Sequence, residues 1–202
     1  MGGIRPDGTW RNWAGNQVTH PVRIERPQCE DEVVAVVRAA ASEGLRIRAV
    51  GAGHSFTGIA ATDEVLVTLD GLADVHDLDT DSGLVRVGAG IRLRDLNPYL
   101  KAAGLAMPNL GDIDYQSVAG AIATSTHGTG LGFRSIADGV VGLRMVAGDG
   151  TVVNCDRTTD PDLLHVARVG LGALGIVTEV TLACVPAFNL KAVEEVLFVD
   201  EV

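Results

Sequence analysis

Residues 48–60 read RAVGAGHSFTGIA, and His54 stands in the middle of the glycine loop that follows a short apolar strand. Loops of this kind usually hold phosphate groups with backbone N–H donors. An imidazole inside one is either a turn residue capping a backbone carbonyl or a group placed for chemistry. A second loop bears on the choice. Residues 117–130, SVAGAIATSTHGTG, are nearly all small, so a ligand can approach the backbone closely. The hydroxyls of Ser117, Thr124, Ser125 and Thr126 are available to phosphate oxygens. Two such loops suit a ligand with two phosphates and bulky ends. Neither contains lysine or arginine, so neutralisation would rest on N–H groups and dipoles.

Common nucleotide motifs fail on spacing or context. Gly51 and Gly53 are followed by Gly58, which is not GxGxxG, and IAATDEV beyond them has no helical stripe. Gly53 and Gly58 have P-loop spacing, but Ile59 and Ala60 stand where lysine and a hydroxyl residue belong. GLGALG at 170–175 matches GxGxxG yet leads into the strand IVTEV rather than a helix, which argues against a Rossmann site. Ser55 lacks the GxSxG elbow of a hydrolase. His20, His76 and His165 have no metal-ligand spacing.

The elements that position these loops can be read from periodicity. VRIER at 22–26 alternates as a strand. QCEDEVVAVVRAAASEG follows as a helix with acidic residues in its first turn, an apolar face at Val33, Val36, Val37, Ala40 and Ala41, and Gly44 as its end. RIRAV at 46–50 is the next strand, so strands 22–26 and 46–50 are expected as parallel neighbours. EVLVTL at 64–69 is a further strand. Two hairpins are expected, with turns at Asp81-Ser82-Gly83 and Gly148-Asp149-Gly150. A helix over 92–103 carries Pro98 as a flaw, and residues 106–135 read as a long functional loop. Asp160-Pro161 opens another helix, and 175–185 is a buried strand.

The chain has 202 residues, 16 basic and 26 acidic, for a net charge of −10, which argues against a nucleic-acid partner. Cys29, Cys155 and Cys184 form no CxxC and fit reduced thiols in the cytosol. A signal peptide is not expected from the polar start, nor a membrane span from the apolar runs.

VGAGHSFTGIA, QSVAGAIATSTHGTG at 116–130 and GALGIVTEVTL at 172–182 together resemble the FAD-binding domain of the vanillyl-alcohol-oxidase (PCMH) type. Within it they are most similar to the sugar-lactone and alditol oxidases, and NWAG at 12–15 is similar to those enzymes' N-terminal signature. The resemblance implies an α+β, two-subdomain fold: a small βαβ half over about 20–75 and a larger, mainly antiparallel half over 76–187. Residues 1–19 would be an N-terminal segment, and 188–202 the start of a substrate-binding cap domain that is otherwise missing.

It also implies FAD bound covalently through His54, because the histidine of GHS in such oxidases bonds the flavin's 8α-methyl. Relatives without that histidine hold FAD non-covalently. Val50, Gly51, Ala52, Gly53, His54 and Ser55 would wrap the pyrophosphate and lead to the ring. Asp112, Ser117, Gly120, Thr124, Ser125, Thr126 and His127 would line the other side, with His127 alternatively a loop brace. Ile176 and Val177 would meet the adenine. The expected activity is oxidation of a CH–OH group of a sugar lactone or polyol, with dioxygen reduced to peroxide. A same-fold dehydrogenase and a non-catalytic flavin-binding fragment remain as alternatives, as does peripheral membrane association. Lacking the cap domain, the chain is assigned no substrate base.

Overall fold

The computed structural model describes residues 3–196. The sequence also reads as an exposed apolar strand at 196–199; apart from Val196 it lies, with the rest of residues 197–202, outside the described residues. The chain opens with a small antiparallel sheet of β1 (Gly3–Ile4), β2 (Trp10–Arg11) and β3 (Val18–Thr19). Next come β4 (Arg23–Glu25), α1 (Glu30–Ser42), β5 (Ile47–Val50) and β6 (Val65–Thr68).

The expected pairing of the strands at 22–26 and 46–50 is corrected here. Both are parallel to β6, which lies between them in the order β4-β6-β5. The cause lies in composition. All four residues of β6 are buried, as a strand covered on both faces requires, whereas β4 and β5 carry charged residues and take the edges. Helix α1 covers one face of this sheet with Val33, Val37 and Ala40. Burying a valine fully is worth about 1.5–3 kcal/mol, so this stripe fixes the helix. The Glu32 carboxylate accepts the Gln28 N–H at 2.7 Å near its N-terminus, and left-handed Gly44 ends it at φ 68°.

The larger sheet is wholly antiparallel. It contains β7 (Val75–Asp79), β8 (Leu84–Gly88), β10 (Val140–Val146), β11 (Val152–Asp156) and β12 (Ile176–Ala183), in the order β11-β10-β12-β8-β7. Between β8 and β10 lie α2 (Leu93–Ala102), β9 (Leu105–Ala106) and α3 (Val118–Ala123). Helix α4 (Pro161–Ala167) precedes β12, and β13 (Val185–Pro186) follows it and pairs with β9. Strand β12 alternates buried and half-buried residues along its whole length, the pattern of a central strand.

Both expected hairpins form. Asp79 Oδ1 accepts the Asp81 N–H in the first, and Asp149 Oδ1 accepts the Thr151 N–H in the second. Pro98 sits inside α2 on its exposed side, where the carbonyl it leaves unbonded can meet water. Asp160 caps α4 by accepting the Leu163 N–H.

The stretch expected as a loop over 106–135 contains α3. Val118, Ala121 and Ile122 lie at helical spacing and are buried, and the small residues between them hide that signal. A tie between the two large sheets involves Glu30 at the start of α1. It accepts Arg144 Nε and Nη2 from β10, each at 2.7 Å, and the hydroxyl of Thr178 from β12 at 2.7 Å. The arginine's hydrogen bonds chiefly hold this carboxyl below its ordinary value, against the opposing effect of burial; the Thr178 bond and the arginine's charge add to the lowering. No helix among the described residues is long and apolar enough to cross a membrane.

Candidate functional site

A cavity of about 330 Å³ runs between the parallel sheet and the antiparallel one. On one side it is lined continuously from Ile47 to Ser55, that is, by β5 and the glycine loop. On the other side stand Ser117, Gly120 and Thr124 of the second loop, Met145 to Gly148, and Gly170 to Val177.

The two small-residue loops touch. A Cβ built on Gly51 would collide with Ser117 Oγ, and one built on Gly120 would lie 3.9 Å from Gly51 Cα. Glycine is therefore required at 51 for close approach, and at 53 because its φ is +69°. Ser117 begins α3 and accepts the Gly120 N–H at 3.2 Å, so its hydroxyl stays at the seam.

The first residues of the chain hold the histidine loop. The Trp13 N–H donates to Gly53 O at 2.8 Å, Asn12 Nδ2 to Ser55 O at 2.9 Å, and Asn16 Nδ2 to Phe56 O at 2.8 Å. The Trp13 and His54 rings lie 5.8 Å apart at a 33° tilt. His54 is half-buried, and its imidazole is held below the ordinary histidine value, first by burial and then by the positive charge of Arg92. Neutral imidazole is the nucleophilic form.

Arg92 forms an ion pair with Asp70, which lines the cavity, and its backbone bridges to Ser117. Gln116 also lines the cavity. Its Nε2 donates to Thr126 Oγ1 at 3.0 Å, while its Oε1 is buried without a partner.

Of the residues singled out in the sequence, Val50 to Ser55, Ser117, Gly120, Thr124, Ile176 and Val177 are brought to the cavity. Asp112, Ser125, Thr126 and His127 are not among its lining residues. Asp112 is exposed. Ser125 takes a left-handed turn at φ 55° after α3, Thr126 holds Gln116, and the His127 ring bonds Gly128 O at 2.8 Å.

Residues 21–156 match the family described as FAD binding domain. The chain belongs to that family. This FAD-binding domain is 47% identical over 181 residues to an L-gulono-1,4-lactone dehydrogenase of Mycobacterium tuberculosis, spanning 90% of the chain and 42% of the relative. It is 41% identical to a D-arabinono-1,4-lactone oxidase of Eremothecium gossypii, over 96% of the chain and 37% of the relative. To the L-gulonolactone oxidase of Mus musculus it is 38% identical, over 90% of the chain and 41% of the relative. The chain thus spans well under half the length of these relatives. Among solved structures, a chitooligosaccharide oxidase superposes with a TM-score of 0.79 at 25% identity, covering 89% of this chain and 38% of the other. The two-subdomain α+β fold expected from the sequence is the fold found.

The cavity is also lined by residues that the sequence reading did not assign to the site. Gly170 to Gly175 fail as a Rossmann turn, and indeed β12 follows them, yet they line the cavity. Gly175 adopts φ +153°, and a Cβ there would collide with Val146 O, so the loop packs directly on β10. Met145 to Gly148 and Asp70 gave no signal beyond a strand and a turn. Asn12 and Trp13 stood in the recognised NWAG, but what they hold appears only in three dimensions.

Proposed function

We propose that this chain is the FAD-binding part of an oxidoreductase that oxidises a CH–OH group of a sugar lactone or alditol with dioxygen, and that His54 holds the flavin covalently. The observation that carries the reading is the placement of His54. A half-buried imidazole, disfavoured in its charged form, is fixed in the lining of a cavity whose two glycine-rich walls meet at Gly51 and Ser117. Small side chains, turns that only glycine tolerates and scarcity of cationic side chains fit a cofactor whose pyrophosphate is held by backbone N–H groups. Of the basic side chains, Arg48 lines the cavity.

Val50 to Ser55 would hold the pyrophosphate and ring on one side, and Ser117, Gly120 and Thr124 on the other. Ile176 and Val177 would flank the adenine. Thr126 would act through Gln116, Asp112 and Ser125 would shape the outer loop, and His127 would brace it. When bound, FAD supplies the acceptor for the substrate's hydride. His54 would contribute a ring nitrogen that forms a C–N bond to the 8-methyl carbon. The overall change would release one methyl hydrogen and the imidazole N–H proton, with dioxygen taking up both protons and the electron pair as hydrogen peroxide. Trp13 and Asn12 would keep the imidazole at that carbon. Substrate recognition would fall to a cap domain beginning near residue 188.

The test is to purify the chain, precipitate it with acid and follow the yellow colour. Colour retained by the pellet in the wild type and released from His54→Ala supports the linkage; colour retained by the variant overturns it. A second reading draws support from the 47% identical relative, which is named a dehydrogenase. In that case flavin reduced without air would reoxidise slowly on aeration, whereas an oxidase would reoxidise fast.

A further inference from the structure

A second, smaller cavity of about 280 Å³ opens at the other end of β5. The glycine loop leaves that strand after Val50, at its C-terminal end, whereas this cavity begins at Arg46, just before its first residue. Side chains alternate along β5. Ile47 and Ala49 pack with Val33 and Val37 of α1, and Val50 packs with Trp10 and Leu66 on the opposite face. Arg46 and Arg48 share that opposite face. Thr19 at the end of β3 and Thr62, Asp63 and Glu64 just before β6 complete the wall.

The polar groups of this wall are unevenly engaged. Glu64 is taken up by Arg46, accepting its Nε–H at 2.6 Å and also its main-chain N–H. Thr62 Oγ1 accepts the Glu64 N–H at 3.1 Å, which leaves its own hydroxyl proton to give. Asp63 Oδ1 accepts the His20 N–H at 2.8 Å, and its second oxygen is left to accept. Arg48 is exposed and forms no ion pair among the described residues. Thr19 is only 8% exposed, and its Oγ1 is buried without a partner. A buried hydroxyl with no bond is costly, so such a group calls for a partner from outside the chain.

These groups define the guest. The Arg48 guanidinium suits a carboxylate or phosphate. The Asp63 carboxylate accepts only and repels a bare anion, so the guest must also bring hydroxyl donors. The volume is near the lower end for small-molecule sites, about 300 Å³. No aromatic side chain of the described residues lines it, so a flat base has nothing to stack on.

We propose that this cavity is a second ligand site, for a small polyhydroxylated anion of the aldonate or sugar-phosphate kind. Arg48 takes the acid group, Asp63 accepts from the hydroxyls, and Thr19 bonds one of them. The site does not depend on the flavin reading, although Arg48 lines both cavities.

The probes are gluconate, glucose 6-phosphate, sorbitol and inorganic phosphate, added to the chain with and without saturating FAD. Affinity is read by calorimetry and the place of binding by amide shifts in NMR. Gluconate or glucose 6-phosphate is expected to bind one to one and to move Thr19 and Thr62 rather than Gly51 and Gly53, with or without FAD. The tighter of the two names the source of the acid group. Sorbitol lacks the charge and phosphate the hydroxyls, so each should bind about tenfold more weakly. Thr19→Val should weaken the tighter anion about fivefold without lowering Tm, because the lost hydroxyl has no partner in the chain. Arg48→Gln should weaken it about tenfold. Phosphate binding as tightly as the sugar acids, shifts confined to Gly51 and Gly53, a lower Tm in Thr19→Val, or no binding by any probe would each overturn the proposal. The FAD titration run alongside reports on the flavin reading separately.

Discussion

Glu30→Gln tests whether one carboxylate fastens the two walls of the cavity. The wild-type side chain accepts three hydrogen bonds, two of them from the Arg144 guanidinium, and reaches from α1 on the parallel sheet to β10 and β12 on the antiparallel one. Glutamine keeps the shape and one acceptor but removes the charge. Hydrogen bonds to a charged group are worth about 1.5–3 kcal/mol each. The side chains of Glu30 and Arg144 are 19% and 39% exposed, so solvent screens part of the attraction. The expected cost at neutral pH is therefore about 2 kcal/mol, or a Tm lower by roughly 4–8 °C for a chain of this size. The pH dependence has a definite sign. The folded state depresses this carboxyl, so its contribution is complete above the unfolded value of about 4.3 and disappears as pH falls through the lower folded value. Urea titrations of wild type and Glu30→Gln at neutral and acidic pH, with Arg144→Met added to close a double-mutant cycle, measure both effects. A neutral-pH difference below about 0.5 kcal/mol, within the range of an ordinary surface change, would refute the reasoning. So would a difference that fails to shrink in acid.

Gly51→Ala should cost the domain at least tenfold in FAD affinity, measured by fluorescence titration, because its methyl collides with Ser117 Oγ at the seam of the two loops. Asn12→Ala removes the bond to Ser55 O and the acceptor of the Gln17 N–H, and should destabilise by about 1–2 kcal/mol in chemical denaturation. It should also slow formation of acid-stable flavin more than it weakens FAD binding. Attachment should stay efficient as pH is lowered past the ordinary histidine value of about 6.5 and fail only in stronger acid, because burial and Arg92 keep His54 unprotonated. Acid-precipitable flavin formed from apoprotein at a series of pH values checks this, and a loss centred above that ordinary value would contradict it.

Local elements were legible where a period or a turn residue was present. The alternation in β12, the stripe of α1, and Gly83 and Gly150 at φ +70° and +80° are all written in short stretches. The strand order was not, because neighbours in a sheet are chosen by burial over the whole domain. Even so, VLVT between two charged strands carried a hint that was left unused. Helix α3 was obscured by alanines and glycines that lack a polar face. At the site, glycine and hydroxyl spacing pointed to residues 51–55 and 117–127, of which Ser125, Thr126 and His127 do not line the cavity. Arg92 beside His54 and Asn12 against Ser55 depend on contacts between distant parts of the chain, which no local pattern records.

The short N-terminal meander acts as a clasp on the His54 loop. Trp13 and Asn12 grip the backbone on either side of the histidine, at Gly53 and Ser55. A chain shortened to begin at residue 20 would retain both large sheets yet leave this imidazole untethered. On the proposed linkage, it would then take up dinucleotide reversibly and become permanently yellow only slowly.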